Sequence, residues 1–107
     1  MTAYAIIHVR KIAMSPPIVE YLERIDATLQ SFDGRFLAHG GDVDVREGDW
    51  PGTAVVLAFP DLDRARAWYT SAAYQEILPL RTANSESDLV FIQGVSAEHR
   101  ATELLAH

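Results

Sequence analysis

The chain has 107 residues, of which 49% are hydrophobic and 22% charged, with a net charge of −6 and no cysteine. This describes one ordinary globular domain with enough apolar material for a core. The acidic balance argues against nucleic acid or an anionic membrane surface as partner, because both require a basic footprint. Lack of cysteine excludes disulfides and thiolate chemistry and fits a reducing cytoplasm, the compartment expected here. No window approaches the roughly 20 apolar residues of a membrane span. The start, MTAYAIIHVRKIAM, has no basic leading region and does not read as a signal peptide.

Ala3 to Ile12 is rich in Ile, Val and Tyr and reads as a strand. One alternate set, Ala5, Ile7 and Val9, is apolar and should face helices. The other, Tyr4, Ile6, His8 and Arg10, turns polar, as if it faced a cavity or a partner. Ser15 and Pro16 then suit a helix start. Ile18, Leu22, Ile25 and Leu29 form the stripe of an amphipathic helix that ends near Ser31. Asp33-Gly34 is a turn signal, and Arg35 to His39 is a short strand interrupted by Gly40-Gly41. Asp42 to Arg46 alternates strictly between polar and apolar residues, which predicts a half-exposed outer continuation of that strand. A loop, EGDWPG, carries Trp50, and Thr53 to Phe59 reads as a central strand buried on both faces.

Asp61 can cap the next helix, whose expected stripe is Leu62, Ala65, Tyr69 and Ala73. Trp68, Ser71, Tyr74 and Arg81 lie off that stripe or at its edge, so core packing alone does not account for them. Pro79 should break the helix. Thr82 to Ser87 reads as a loop, Asp88 to Val95 as the last strand, and Ser96 to His107 as a short helix or tail. The expected organisation is therefore one domain over residues 1–95 followed by a tail over 96–107. The order strand, helix, strand, strand, helix, strand gives an α+β fold of the ferredoxin-like βαββαβ type, with a four-stranded antiparallel sheet and helices on one face. The other face, expected to carry Ile6 and Phe91 among aliphatics, is too apolar for water. Two copies packed sheet to sheet, enclosing a space, would cover it.

No chemical motif stands out. The spacing of the four histidines matches no metal site, and no metal or cofactor is expected. There is no nucleophile elbow and no phosphate loop. His99 and His107 lie in the tail, whereas His8 and His39 sit on strands and are candidates to line a pocket or act as general bases. Arg81 can anchor a carboxylate, either a ligand's or that of Glu47. Trp68 and Tyr69 can serve as core, dimer contact or stacking surface; Ser71 and Tyr74 complete the candidate binding set.

Three segments, GRFLAHGG at 34–41, EGDWPG at 47–52 and AWYTSAAYQEILPLR at 67–81, resemble a family of small bacterial domains of unknown function within the dimeric alpha/beta-barrel superfamily. Its typical pattern is GGRFLARGG, then EG-W, then AWYNSPEYQ followed by PLR, and the likeness runs from Tyr4 to Gly94. The resemblance implies a dimeric alpha/beta barrel. The wider superfamily is similar to cofactor-free monooxygenases, isomerases, haem-degrading proteins and ligand sensors. Two departures stand out: His39 replaces the usual arginine, and Ser71-Ala72-Ala73-Tyr74 replaces Ser-Pro-Glu-Tyr. The leading expectation is a homodimer holding a small, partly apolar, anionic metabolite between its two sheets. The alternatives are a cofactor-free monooxygenase or isomerase using a pocket histidine as base, and a dimerising structural module.

Overall fold

The computed structural model describes residues 1–106. Its elements are β1 (Ala3–Ile12), α1 (Pro16–Leu29) with a 3₁₀ turn over Gln30–Phe32, β2 (Arg35–His39), β3 (Thr53–Phe59), α2 (Leu62–Thr70), α3 (Ala72–Thr82) and β4 (Ser85–Gln93). A 3₁₀ segment, Ala101–Ala106, follows. The sheet order is β2-β3-β1-β4 and every pairing is antiparallel. The fold is ferredoxin-like.

Register decides which side chains share a face. Ala5 pairs with Leu57 and Phe91, and Ile7 with Val55 and Leu89. These residues face the helices, where they meet Tyr21, Ile25 and Leu29 of α1 and Trp68, Tyr74 and Ile77 of α2 and α3. Phe91 therefore lies under the helices, edge-on to Tyr69 at 6.1 Å, and not on the bare face where the sequence reading put it. The bare face carries Tyr4, Ile6 and His8 beside Ala54, Val56, Val90 and Ile92. Val90 and Ile92 are 55% and 53% exposed there.

Five local expectations are corrected. The break after Phe59 comes at Ser71, not at Pro79. Ser71 is extended (φ −63°, ψ 147°), ends α2 and caps α3 by accepting a hydrogen bond from the Tyr74 amide. Pro79 sits inside α3. Its missing N–H falls on an exposed turn, where water can satisfy the freed carbonyl. The break also shifts the buried stripe to Ala65, Trp68, Tyr74, Ile77 and Arg81, leaving Ala73 exposed. In α1 the buried set is Ile18, Tyr21, Ile25, Thr28 and Leu29, with Leu22 at the edge.

The remaining two corrections concern strands. β4 begins at Ser85, three residues before the expected Asp88, because a register shift lets Glu86 and Ser85 pair with Lys11 and Ile12. Asp42 to Arg46 is not a strand: among the described residues none pairs with it, and its residues are exposed. Gly52 returns the chain to β3 at φ +81°, where a Cβ would fall on the Val9 carbonyl oxygen, so only glycine fits. The tail is a 3₁₀ turn up to Ala106, and His107 lies outside the described residues.

Candidate functional site

A cavity of about 200 Å³ opens between α1 and the helix-facing side of the sheet. Its walls are mainly apolar, from Ile7 and Val9 of β1, Ile18 and Ile25 of α1, Phe36 of β2 and Val55 of β3. Four side chains with polar groups interrupt them: Arg81, Thr53, His39 and Tyr21.

Arg81 comes from the last turn of α3 and is only 6% exposed. Among the described residues it has no carboxylate partner, and Glu47, its expected partner in an ion pair, lies in the exposed loop. The cation rests instead on neutral groups. Its Nη1 donates to Ser87 Oγ at 2.6 Å. Ser85 Oγ donates to the Arg81 carbonyl at 2.8 Å and lies 3.0 Å from Ser87 Oγ. A hydroxyl has one proton. Ser85 gives its proton to the carbonyl, so Ser87 donates to Ser85, and the ring Arg81–Ser87–Ser85–Arg81 is closed with each proton assigned. Nε of Arg81 has no partner, nor does the buried Thr53 Oγ1.

On the helix side the guanidinium carbon lies 5.9 Å from the centre of the Tyr21 ring, and Tyr21 Oη is 2.8 Å from Tyr74 Oη. Burial, reinforced by Tyr74, pushes the Tyr21 phenol well above its ordinary value, so it remains neutral. For Arg81, burial opposes the charge but is outweighed by the Tyr74 and Tyr21 oxygens, and its pKa is raised. The cation is permanent. A buried charge without a counter-ion is costly.

His39 reaches the same cavity by a different route. A register shift between Phe36 and Ala38 puts Phe36 and His39 on one face, stacked at 4.5 Å. His8 is on the opposite face of the sheet. Its Nε2 donates to the Pro51 carbonyl at 2.9 Å and its ring stacks on Trp50 at 4.0 Å, which ties the loop back to the sheet. The two strand histidines therefore do not converge. Trp68 and Tyr74 are wholly buried, with Trp68 Nε1 donating to Thr28 Oγ1 at 3.0 Å. Tyr69 packs beside them, and Ser71 is spent on the helix junction. Of the seven candidates, Arg81 and His39 line the cavity.

Residues 2–95 match the family described as Domain of unknown function (DUF1330). The chain belongs to this family. No curated protein matches it. Among solved structures, a protein of unknown function from Rhodopseudomonas palustris is similar with a TM-score of 0.69 and 14% identity, over 89% of this chain and 83% of that one. A dimeric ferredoxin-like protein of unknown function from Jannaschia sp. CCS1 is similar with a TM-score of 0.67 and 12% identity, over 88% and 100%. SnoaB, a cofactor-independent oxygenase from Streptomyces nogalater, is similar with a TM-score of 0.50 and 13% identity, over 92% and 97%. At these identities the likeness concerns the fold.

Within this DUF1330 chain, sequence reasoning missed Tyr21, Thr53, Phe36 and Ser87. Tyr21 had a signal: Ile18, Tyr21, Ile25 and Thr28 step by three, four and three, as regular a stripe as the one through Leu22. Ser87 had none, because only pairing shows that Ser87 stands opposite Val9 on the cavity side. Among the described residues no group of three or more His, Asp or Glu side chains converges on a metal position, and no helix is long and apolar enough to cross a membrane.

Proposed function

We propose that this domain is a homodimer whose subunits each bind a small, partly apolar anion in the cavity between α1 and the sheet. The observation that carries the binding reading is the buried Arg81 cation, without a carboxylate partner among the described residues and with Nε unpaired, at an otherwise apolar cavity. The cavity lies on the opposite side of the sheet from the inter-sheet space expected from sequence. Dimerisation is supported by the exposed Val90 and Ile92 on the bare face and by the dimeric state of the Jannaschia relative. The cavity suits a ligand on the order of seven to ten non-hydrogen atoms, taking water's share of liquid volume as a rough guide.

Ligand-observed NMR with a library of small acids, amides and alcohols tests the reading against Val55→Trp, which fills the cavity. Hits that vanish in a folded Val55→Trp variant are expected. An empty screen, or hits that survive the filling, would remove the pocket as the site.

A second reading rests on His39, which lines the same cavity. A bound acidic carbon within reach of its imidazole could lose a proton to it, as an isomerase or a cofactor-free oxygenase requires. Turnover of lactones or quinols that is abolished in His39→Ala would favour this reading; no turnover of either would sink it.

A further inference from the structure

We infer that the ligand class is a monocarboxylate, held head-inward with its carboxylate between Arg81 and Thr53 and its body towards Phe36 and His39. This rests on the pocket reading above and narrows it. The first ground is the fixed proton ring. Ser85 and Ser87 use both of their protons within the ring, so neither hydroxyl can turn to donate to a ligand, and one of the two Nη1 protons of Arg81 is committed to Ser87. Arg81 Nε and Thr53 Oγ1, from two residues that line the cavity, are both buried and unpartnered, and so are left for a ligand.

The second ground is spacing. Ser87 and Thr53 both stand opposite Val9, on either side of β1, so they are two strand spacings apart, roughly 9–10 Å. The guanidinium reaches into that interval from the Ser87 side. A carboxylate has two acceptor oxygens, one for a donor on each side of that interval.

The third ground is charge. The cavity holds one permanent cation and no lysine, so a single negative charge is balanced, whereas a phosphate dianion would bury an uncompensated one. A neutral amide or alcohol would leave the cation itself uncompensated. The far end of the cavity, with the stacked Phe36 and His39 rings, accepts a flat or aliphatic body.

Calorimetric titration of the full chain with benzoate, benzamide and phenylphosphonate, three probes sharing one body, tests this. Benzoate is expected to bind at least about tenfold tighter than the other two, the factor worth one charge-assisted hydrogen bond. The advantage should disappear in Arg81→Met and shrink in Thr53→Val, which keeps shape and removes only the hydroxyl. If Arg81→Met does not fold, Thr53→Val decides. Benzamide or phenylphosphonate binding as tightly as benzoate, or an advantage unchanged in the folded variants, overturns the carboxylate assignment and leaves the pocket standing. If none of the probes binds, the carboxylate assignment falls, while the hits of the wider screen and their loss in Val55→Trp judge the pocket separately.

Discussion

The Arg81 guanidinium carbon lies 5.9 Å from the centre of the Tyr21 ring, and the Tyr21 hydroxyl is in turn 2.8 Å from that of Tyr74. Cation and paired phenols form one buried polar unit joining α1 to α3. Neutrality of Tyr21 is a condition of the fold, because its ionised form would be desolvated beside a second phenol.

That condition has a pH signature. The Tyr21 pKa is raised in the folded chain, so its contribution is fully present below the unfolded value near 10. Above it the unfolded chain releases a proton that the folded chain keeps, and stability falls by up to about 1.4 kcal/mol per pH unit from this group. Urea unfolding between pH 9 and 11 should show a steeper decline for the native chain than for Tyr21→Phe. Equal slopes would mean that the phenol ionises in place.

The junction at Ser71 gives a second prediction. Its hydroxyl accepts from the Tyr74 amide and donates to the Trp68 carbonyl at 2.7 Å. Ser71→Ala should cost about 0.5–2 kcal/mol, the range for losing an N-cap. Pro79→Ala should do the reverse and raise the melting temperature, since alanine restores a helix donor at an exposed position. A stabilising Ser71→Ala together with a destabilising Pro79→Ala would return the helix break to the proline.

This pair also shows where sequence reasoning stops. Strand periods, the Asp61 cap and turn signals give four strands in the right order, because each is a local property of the chain. Serine caps a helix or lies along one with equal ease, and only the burial of Trp68 and Tyr74 on the same side decides for the cap. The candidate site was legible at Arg81, the one cation that follows a run of aromatics. It was not legible at Thr53 or Ser87, which join Arg81 through pairing with the same residue of β1. His8 and His39 look alike along the chain, and the register shift at β2 separates them onto opposite faces.

The indole of Trp68 supplies a third prediction. It is fully buried, and its N–H has one partner, the Thr28 hydroxyl, which itself donates to the Ile25 carbonyl at 2.7 Å. Thr28→Val keeps the shape and orphans the indole, at an expected cost of about 1–3 kcal/mol. Chemical denaturation followed by tryptophan emission measures it, with Thr28→Ser as the variant that restores the partner. A loss in Thr28→Ser as large as in Thr28→Val would assign the effect to the methyl group and its packing.

The last prediction concerns the bare face. Val90 and Ile92 stand next to Ile6 and Tyr4 on the side of the sheet that no helix covers. Two exposed β-branched residues of the edge strand β4, beside Ile6 of β1, make an apolar patch that would ordinarily be placed under cover. Val90→Asp with Ile92→Asp adds two charges to this face without touching the cavity on the other. Sedimentation velocity at micromolar concentration should find the native chain as a dimer and the double variant as a folded monomer. Benzoate affinity then separates the two faces: unchanged binding by the monomer means that one subunit encloses the whole site. A native chain that already sediments as a monomer would show that the face is tolerated in water, and the dimer would have to be abandoned while the cavity remained.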